Sequence, residues 1–197
     1  MILDATEFVS REALDVMVRR WGCRAFPALR HNTACGVPPV RVQFSASPGV
    51  VSPGIQFFTH WRYGHCEFRL SNGWTLGAHV VKGSGVWPRP WDYQPVSRIL
   101  VCDLDAPPEV VEAVWREAWR LVGTPYDFKW FLGFCVNRDW NDDSKLGCSE
   151  DVVTACINAG LELHDYGRHQ PNKITPADVS LSSHLRTIYE GPPEGYP

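Results

Sequence analysis

No Cys-x-x-C pair occurs in the chain, although it has seven cysteines, so the usual zinc-ribbon and dithiol redox signatures are missing. No apolar run approaches the roughly 20 residues needed to span a bilayer. Blocks of like charge are also absent, and a net charge of −3 gives no electrostatic footprint for nucleic acid. The N-terminal "MILDATEFVSREA" carries an acid at position 4 and lacks the basic stretch and apolar run of a secretory signal. The chain is therefore expected to start in the cytoplasm, with its odd number of cysteines as reduced thiols rather than disulfide staples. We find no internal repeat and no low-complexity segment.

What is present is ordinary in bulk and uneven in texture. At 197 residues, 44% hydrophobic and 21% charged, the chain fits a single domain with a substantial core. Its nine tryptophans suggest aromatics lining a wall as well as filling a core. Residues 4–21 read as a helix, with Asp4 as cap and Glu7 three residues later, ended by Gly22. From 23 to 54 the proline and glycine punctuation predicts loops and one or two short strands, "VRVQFSA" among them. Between 55 and 103 the runs "IQFFTHW", "HCEFRL", "WTLGAHVV" and "SRILVCDL" read as strands, with "SNG" at 71–73 as a hairpin turn. "WPRPWDYQP" at 87–95 is too rich in proline for a central strand and reads as a surface crossing.

"DAPPEVVEAVWREAWRLVG" at 105–123 is an amphipathic helix pattern with Asp105 as cap candidate, two prolines in its first turn and Gly123 as its stop. A second helix begins at Cys148 and stops at Gly160, followed by a polar tail. The order predicts an α+β fold with a mostly antiparallel sheet packed against helices. We divide the single domain, 1–197, into an N-terminal helix and loop extension (1–50), a core (51–180) and a C-terminal tail (181–197).

The chemistry concentrates in "KLGCSEDVV", residues 145–153. A cysteine in the first turn of a helix faces unpaired backbone N–H groups and the positive dipole end, which favour thiolate. Cys148 can fill space, bind metal, form a disulfide or act as a nucleophile, and the residue alone does not separate these. His65 and Glu67 share one face of the strand "HCEFRL", and Cys66 takes the other. His79 lies on the next strand, where it can orient a catalytic histidine from across the hairpin. His60 and His65 point to opposite faces of one regular strand, which argues against a metal pair, and His164 and His169 read as loop histidines. In "VGTPYDFKWF", Tyr126 can present a phenol to an oxyanion.

Together, "WRLVGTPYDF" and "GCSEDVVTACINAGLEL" resemble the helix, Gly-Thr-Pro-Tyr turn and cysteine helix of NlpC-like, papain-fold cysteine hydrolases. The histidine segment "YGHCEFRLSNGWTLGAHVVKGSGV" precedes the cysteine here, which is the order of the circularly permuted branch of permuted papain-like amidases and phage relatives of cell-wall-associated hydrolases. The resemblance covers residues 50–180. It implies a permuted papain-like fold with Cys148 as nucleophile, His65 as general base and Tyr126 near the oxyanion. Gly77 stands where some members have Glu, so His79 is the expected substitute orienter; Glu67 matches a family acid. The implied activity is thiol hydrolysis of an amide, in peptidoglycan peptides or a related substrate, with no metal or organic cofactor. Lipid-ester and acyl-transfer chemistry also occur among relatives. The alternative is an inactive binding or structural protein on the same fold, such as a phage virion component. Under either reading the chain is expected to be made in the cytoplasm and to reach a virion or the cell wall through other proteins.

Overall fold

The computed structural model describes residues 2–4, 7–21, 30–32, 37–48, 51–70, 73–80, 84–129, 142, 144–163 and 174–196. Strand β1 (Ile2–Asp4) pairs antiparallel with β2 (Arg30–Asn32) as a separate ribbon. The first helix, α1, spans Arg11–Trp21. It starts later than the sequence pattern suggests, because Ser10 caps it, its Oγ accepting from the Ala13 N–H at 3.2 Å, while Asp4 belongs to a strand. The expected stop at Gly22 lies outside the described residues, as do Ser71 and Asn72 of the hairpin turn and both loop histidines, His164 and His169.

The main sheet has six antiparallel strands in the order β6-β5-β4-β3-β7-β8. These are β3 (Arg41–Ala46), β4 (His65–Arg69), β5 (Trp74–His79), β6 (Gly85–Pro90), β7 (Arg98–Leu104) and β8 (Leu185–Gly191). The class is therefore α+β, as the run of strands followed by helices predicts. The division at residues 50 and 180 does not follow this sheet. β3 lies inside it, between β4 and β7, and β8 forms its far edge on β7, so both flanks contribute strands to the same layer.

Two further expectations are corrected. Residues 51–59 form helix α2 (Val51–Thr59) rather than opening a strand at Ile55. The aromatic run looks strand-like, but Ile55 and Ser52 are buried on one helical face and Phe57 is 72% exposed on another. Pro53 sits in the first turn, where its missing N–H costs no helical bond. The helix packs tightly against the entry to β4: a Cβ on Gly64 would lie 2.3 Å from the Ser52 carbonyl oxygen, so only glycine fits there. Second, "WPRP" is an edge strand, β6, and not a crossing. Pairing with β5 on one side only spares the prolines a second ladder, and Trp87 and Arg89 point inward.

Helix α3 (Pro108–Arg120) buries Val111, Val114, Trp115, Ala118 and Trp119, an i, i+3, i+4, i+7, i+8 stripe. Pro107 rather than Asp105 is its N-cap, with no side-chain cap. Trp115 packs on Phe68 with ring centroids 5.7 Å apart and donates its indole N–H to the Pro38 carbonyl at 3.0 Å. Helix α4 (Cys148–Asn158) packs on α3, β4 and β5. It stops before Gly160, whose φ of 80° is the left-handed conformation the sequence led us to expect. A short helix α5 (Pro176–Ser180), capped by Thr175, leads into β8. Among the described residues no helix is long and apolar enough to cross a membrane.

Candidate active site

The site forms where the sheet opens. The β4–β5 ladder is carried by Phe68↔Leu76 and Arg69↔Thr75, although β4 starts at His65 and β5 runs on to His79. Beyond these pairs the first turn of α4 lies against both strands. The backbone N–H of Cys66, on the edge of β4, hydrogen-bonds the Cys148 sulfur. Continuing the β4–β5 register places Glu67 opposite Gly77 and His65 opposite His79.

A second set of bonds fixes the helix start. The turn after α3 is stitched to β6 by Gly123 N–H to the Val86 carbonyl at 3.0 Å and Val86 N–H to the Thr124 carbonyl at 2.9 Å. Tyr126 and Leu146 then form a parallel bridge, with Leu146 donating to Pro125 and Asp127 donating to Leu146. The buried Asp127 carboxylate accepts from the Lys129 and Asp142 N–H groups, both at 2.9 Å, and so ties these two positions together. Gly147 is the N-cap, and its N–H donates to Glu150 Oε2 at 3.0 Å. The thiol of Cys148 is thereby held at the first position of the helix, 1% exposed.

Around that thiol the structure gathers His65, Cys66, Glu67, His79, Tyr126 and Asp151. His65 and Cys148 lie close enough for each side chain to act on the protonation of the other. The Cys66 thiol is also directed at Cys148, its Sγ 3.7 Å from the Cys148 carbonyl oxygen. Its hydrogen bond to the Cys148 sulfur is the largest influence on that group. Burial opposes ionisation, but the bonds from Cys66 and His65 and the positive charge on His65 win, and the Cys148 thiol is held well below its ordinary range. For His65, burial works against the charged form and is outweighed by Cys148 and then Glu67, which raise it to about 10. Both shifts favour a buried thiolate–imidazolium pair.

Glu67, as well as the expected His79, comes up to the His65 ring. His65 Nε2 lies 3.6 Å from Glu67 Oε2, an ion-pair distance just beyond full hydrogen-bond reach. His79 instead meets the His65 ring edge-on, with centroids 4.9 Å apart. Burial, then the positive charges of His65 and Arg89, push His79 down to about 2, so it stays neutral. Gly77 explains the exchange: a Cβ there would be 2.6 Å from Glu67 Cβ and 3.6 Å from Asp151 Oδ2. The glycine leaves the space that a carboxylate from the neighbouring strand fills. Tyr126 is buried and near enough for the Cys148 charge to act on it; burial first, then that charge, push its phenol well up, so it remains a donor.

Three residues were not singled out from sequence. Cys66 looked like the buried face of a strand, and the packing of α4 on β4 is what brings it beside Cys148. Asp151 lies one helical turn after Cys148, a spacing that marks it as a neighbour. It is fully buried, and burial and then the Cys148 charge push its carboxyl well up, so it is a neutral acid. Arg89, also fully buried, donates to the carbonyls of Gly77 at 2.8 Å and of Trp87 and Gly85 at 2.9 Å, clamping β5 and β6 beside the site. The described cysteines 66, 102, 148 and 156 are free thiols. Among the described residues no group of three or more His, Cys, Asp or Glu is placed to hold a metal ion.

No protein-family model matches the chain, and no curated protein matches it. A solved structure does resemble it: metalloprotein yiiX from Escherichia coli O157:H7, DUF1105, at 20% identity and a TM-score of 0.59, covering 81% of this chain and 100% of that one. At that identity the likeness concerns the fold.

Proposed function

We propose that this protein is a cysteine hydrolase of permuted papain-like (NlpC-like) architecture that cleaves an amide bond, with peptidoglycan peptides or a related amide as the substrate class. The observation that carries the reading is the Cys148–His65 pair at a helix N-terminus, backed by Glu67. In the first step the Cys148 thiolate attacks the carbonyl carbon, and the charge that develops on oxygen is met by Tyr126 and backbone N–H groups. The C–N bond then breaks as protonated His65 gives its proton to the leaving nitrogen, leaving a thioester on Cys148 and a neutral imidazole. Water, deprotonated by that imidazole, attacks the thioester, releases the carboxylic acid and restores the thiolate and the imidazolium. Glu67 stabilises the charged form of His65 through the cycle, and the Cys66 thiol supports the resting thiolate.

Labelling with a carbonyl-directed electrophile at neutral pH tests this. Among the seven cysteines, Cys148 should be modified first, and release of amine from a peptide amide should stop when it is. Slow, unselective labelling with no amine release from the peptides tried would favour a binding or structural protein on this fold.

A further inference from the structure

β4 carries its polar residues on one face at positions 65, 67 and 69. The first two are absorbed by Cys148, but Arg69 lies away from that chemistry, about 13 Å from His65 at the usual strand rise. It lines a cleft of ≈ 270 Å³ together with Arg41, Trp91, Glu194 and Tyr196. Arg69 is 8% exposed, and its guanidinium carbon stands 4.5 Å from the Tyr196 ring centroid and 6.0 Å from that of Trp91. One fork nitrogen donates to Gln43 Oε1, itself buried. Aromatic faces and an amide thus hold the group, but no carboxylate of the described residues lies within ion-pair distance of it.

Its neighbour is different. Arg41 Nε meets Asp103 Oδ1 at 3.0 Å, so its charge is already answered. Burying a guanidinium without a counter-ion is costly, and a planar fork held by stacking is suited to a carboxylate. Burial accordingly disfavours the charged form of Arg69, which a bound anion would restore. The charges on the cleft wall limit the ligand further. With Arg41 paired to Asp103, Arg69 is the positive group a ligand's anion would meet, and Glu194 on the same lining opposes added negative charge, so a dianion is disfavoured more than a monoanion. The aromatic walls and the small volume suit a compact apolar or aromatic body.

We propose that this cleft is a second, non-catalytic site for a small monocarboxylate carried on an apolar or aromatic body, with Arg69 as the carboxylate partner and Trp91 and Tyr196 as the walls. The proposal rests on Arg69 and is independent of the hydrolase reading.

Calorimetric titration of the full chain with benzoate, with its neutral amide benzamide and with phenyl phosphate tests it. Benzoate should bind at least about tenfold more tightly than either analogue, a difference of about 1.4 kcal/mol. Arg69→Gln should remove that preference and Cys148→Ser should leave it intact, which separates this cleft from the candidate active site. Glu194→Gln, an exposed change that should not disturb folding, should tighten benzoate about two- to fivefold. The proposal is overturned by equal binding of benzamide, by tighter phenyl phosphate, by no benzoate binding up to about 10 mM, or by a preference that survives Arg69→Gln. If Arg69→Gln does not fold, benzoate binding unchanged in both Glu194→Gln and Trp91→Ala overturns it instead.

Discussion

The two ends of α4 push the same residue in opposite directions. Cys148, in the first turn, and Cys156, two turns further on, are both buried thiols on one helix. Burial first, and then the nearby Asp151, push Cys156 up to about 12. Cys148 is as buried and moves the other way, because it meets Cys66, protonated His65 and a backbone N–H where Cys156 meets the core. Burial sets the cost of an anion, and hydrogen-bonded partners decide whether it forms.

The strongest way to break the contrast is to delete the sulfur at one end. Cys148→Ser should lower amide hydrolysis at least about 1000-fold, since the hydroxyl lacks the thiol's acidity and nucleophilicity. Cys156→Ser should retain turnover within a small factor, read in the same assay.

The partners come next. Glu67→Gln should reduce turnover about 10- to 100-fold, the scale of an outer partner that orients a catalytic group. It should also move the alkaline limb of the rate profile to lower pH. The sign follows from the position of His65: it is raised to about 10 by Cys148 and Glu67 and acts as an acid, so rate is lost as pH climbs through that value, and removing the carboxylate brings the loss forward. His79→Phe keeps the ring contact and should leave the limb where it is. A smaller effect belongs to Cys66. Cys66→Ala removes one donor to the sulfur, so the acid limb should move to higher pH with folding retained, as thermal unfolding would show.

These partners also show what the sequence could and could not reveal. That Cys148 starts a helix and that His65 and Glu67 share one strand face was legible from helix and strand periods, whereas the grouping of these residues with Tyr126 came only from the likeness of their segments to a known family. The α+β order followed from the same periods. The choice of Glu67 over His79 was not legible, because it depends on the side-chain space above Gly77, which only the register of β4 against β5 reveals. Nor was the role of Cys66, since strand alternation puts it on the core face and the packing of α4 against that face lies outside any local pattern. α2 was misread because an aromatic run carries no strand signal once half of it faces solvent, as Phe57 and Phe58 do. The flanks were set apart from the core because long-range pairings such as β7 with β8 leave no mark on local sequence.

A fainter effect lies in stability. The Asp151 carboxyl is raised in the folded protein, so the native state holds a proton that the unfolded chain releases above about pH 4. Folding stability should therefore decline as pH rises from that point, and Asp151→Asn, neutral at every pH, should flatten that part of the curve in denaturant titrations.

The central claim is that Cys148 rests as a thiolate paired with His65. It is tested most directly by the rate of Cys148 alkylation against pH, in the native chain and in His65→Ala, with Cys148→Ser as blank. The account predicts a native rate already at its plateau at neutral pH, and a His65→Ala rate that rises later, shifted towards the roughly 8.5 of a free thiol. A native rate that climbs only around or above that value, and does not change in His65→Ala, would contradict it.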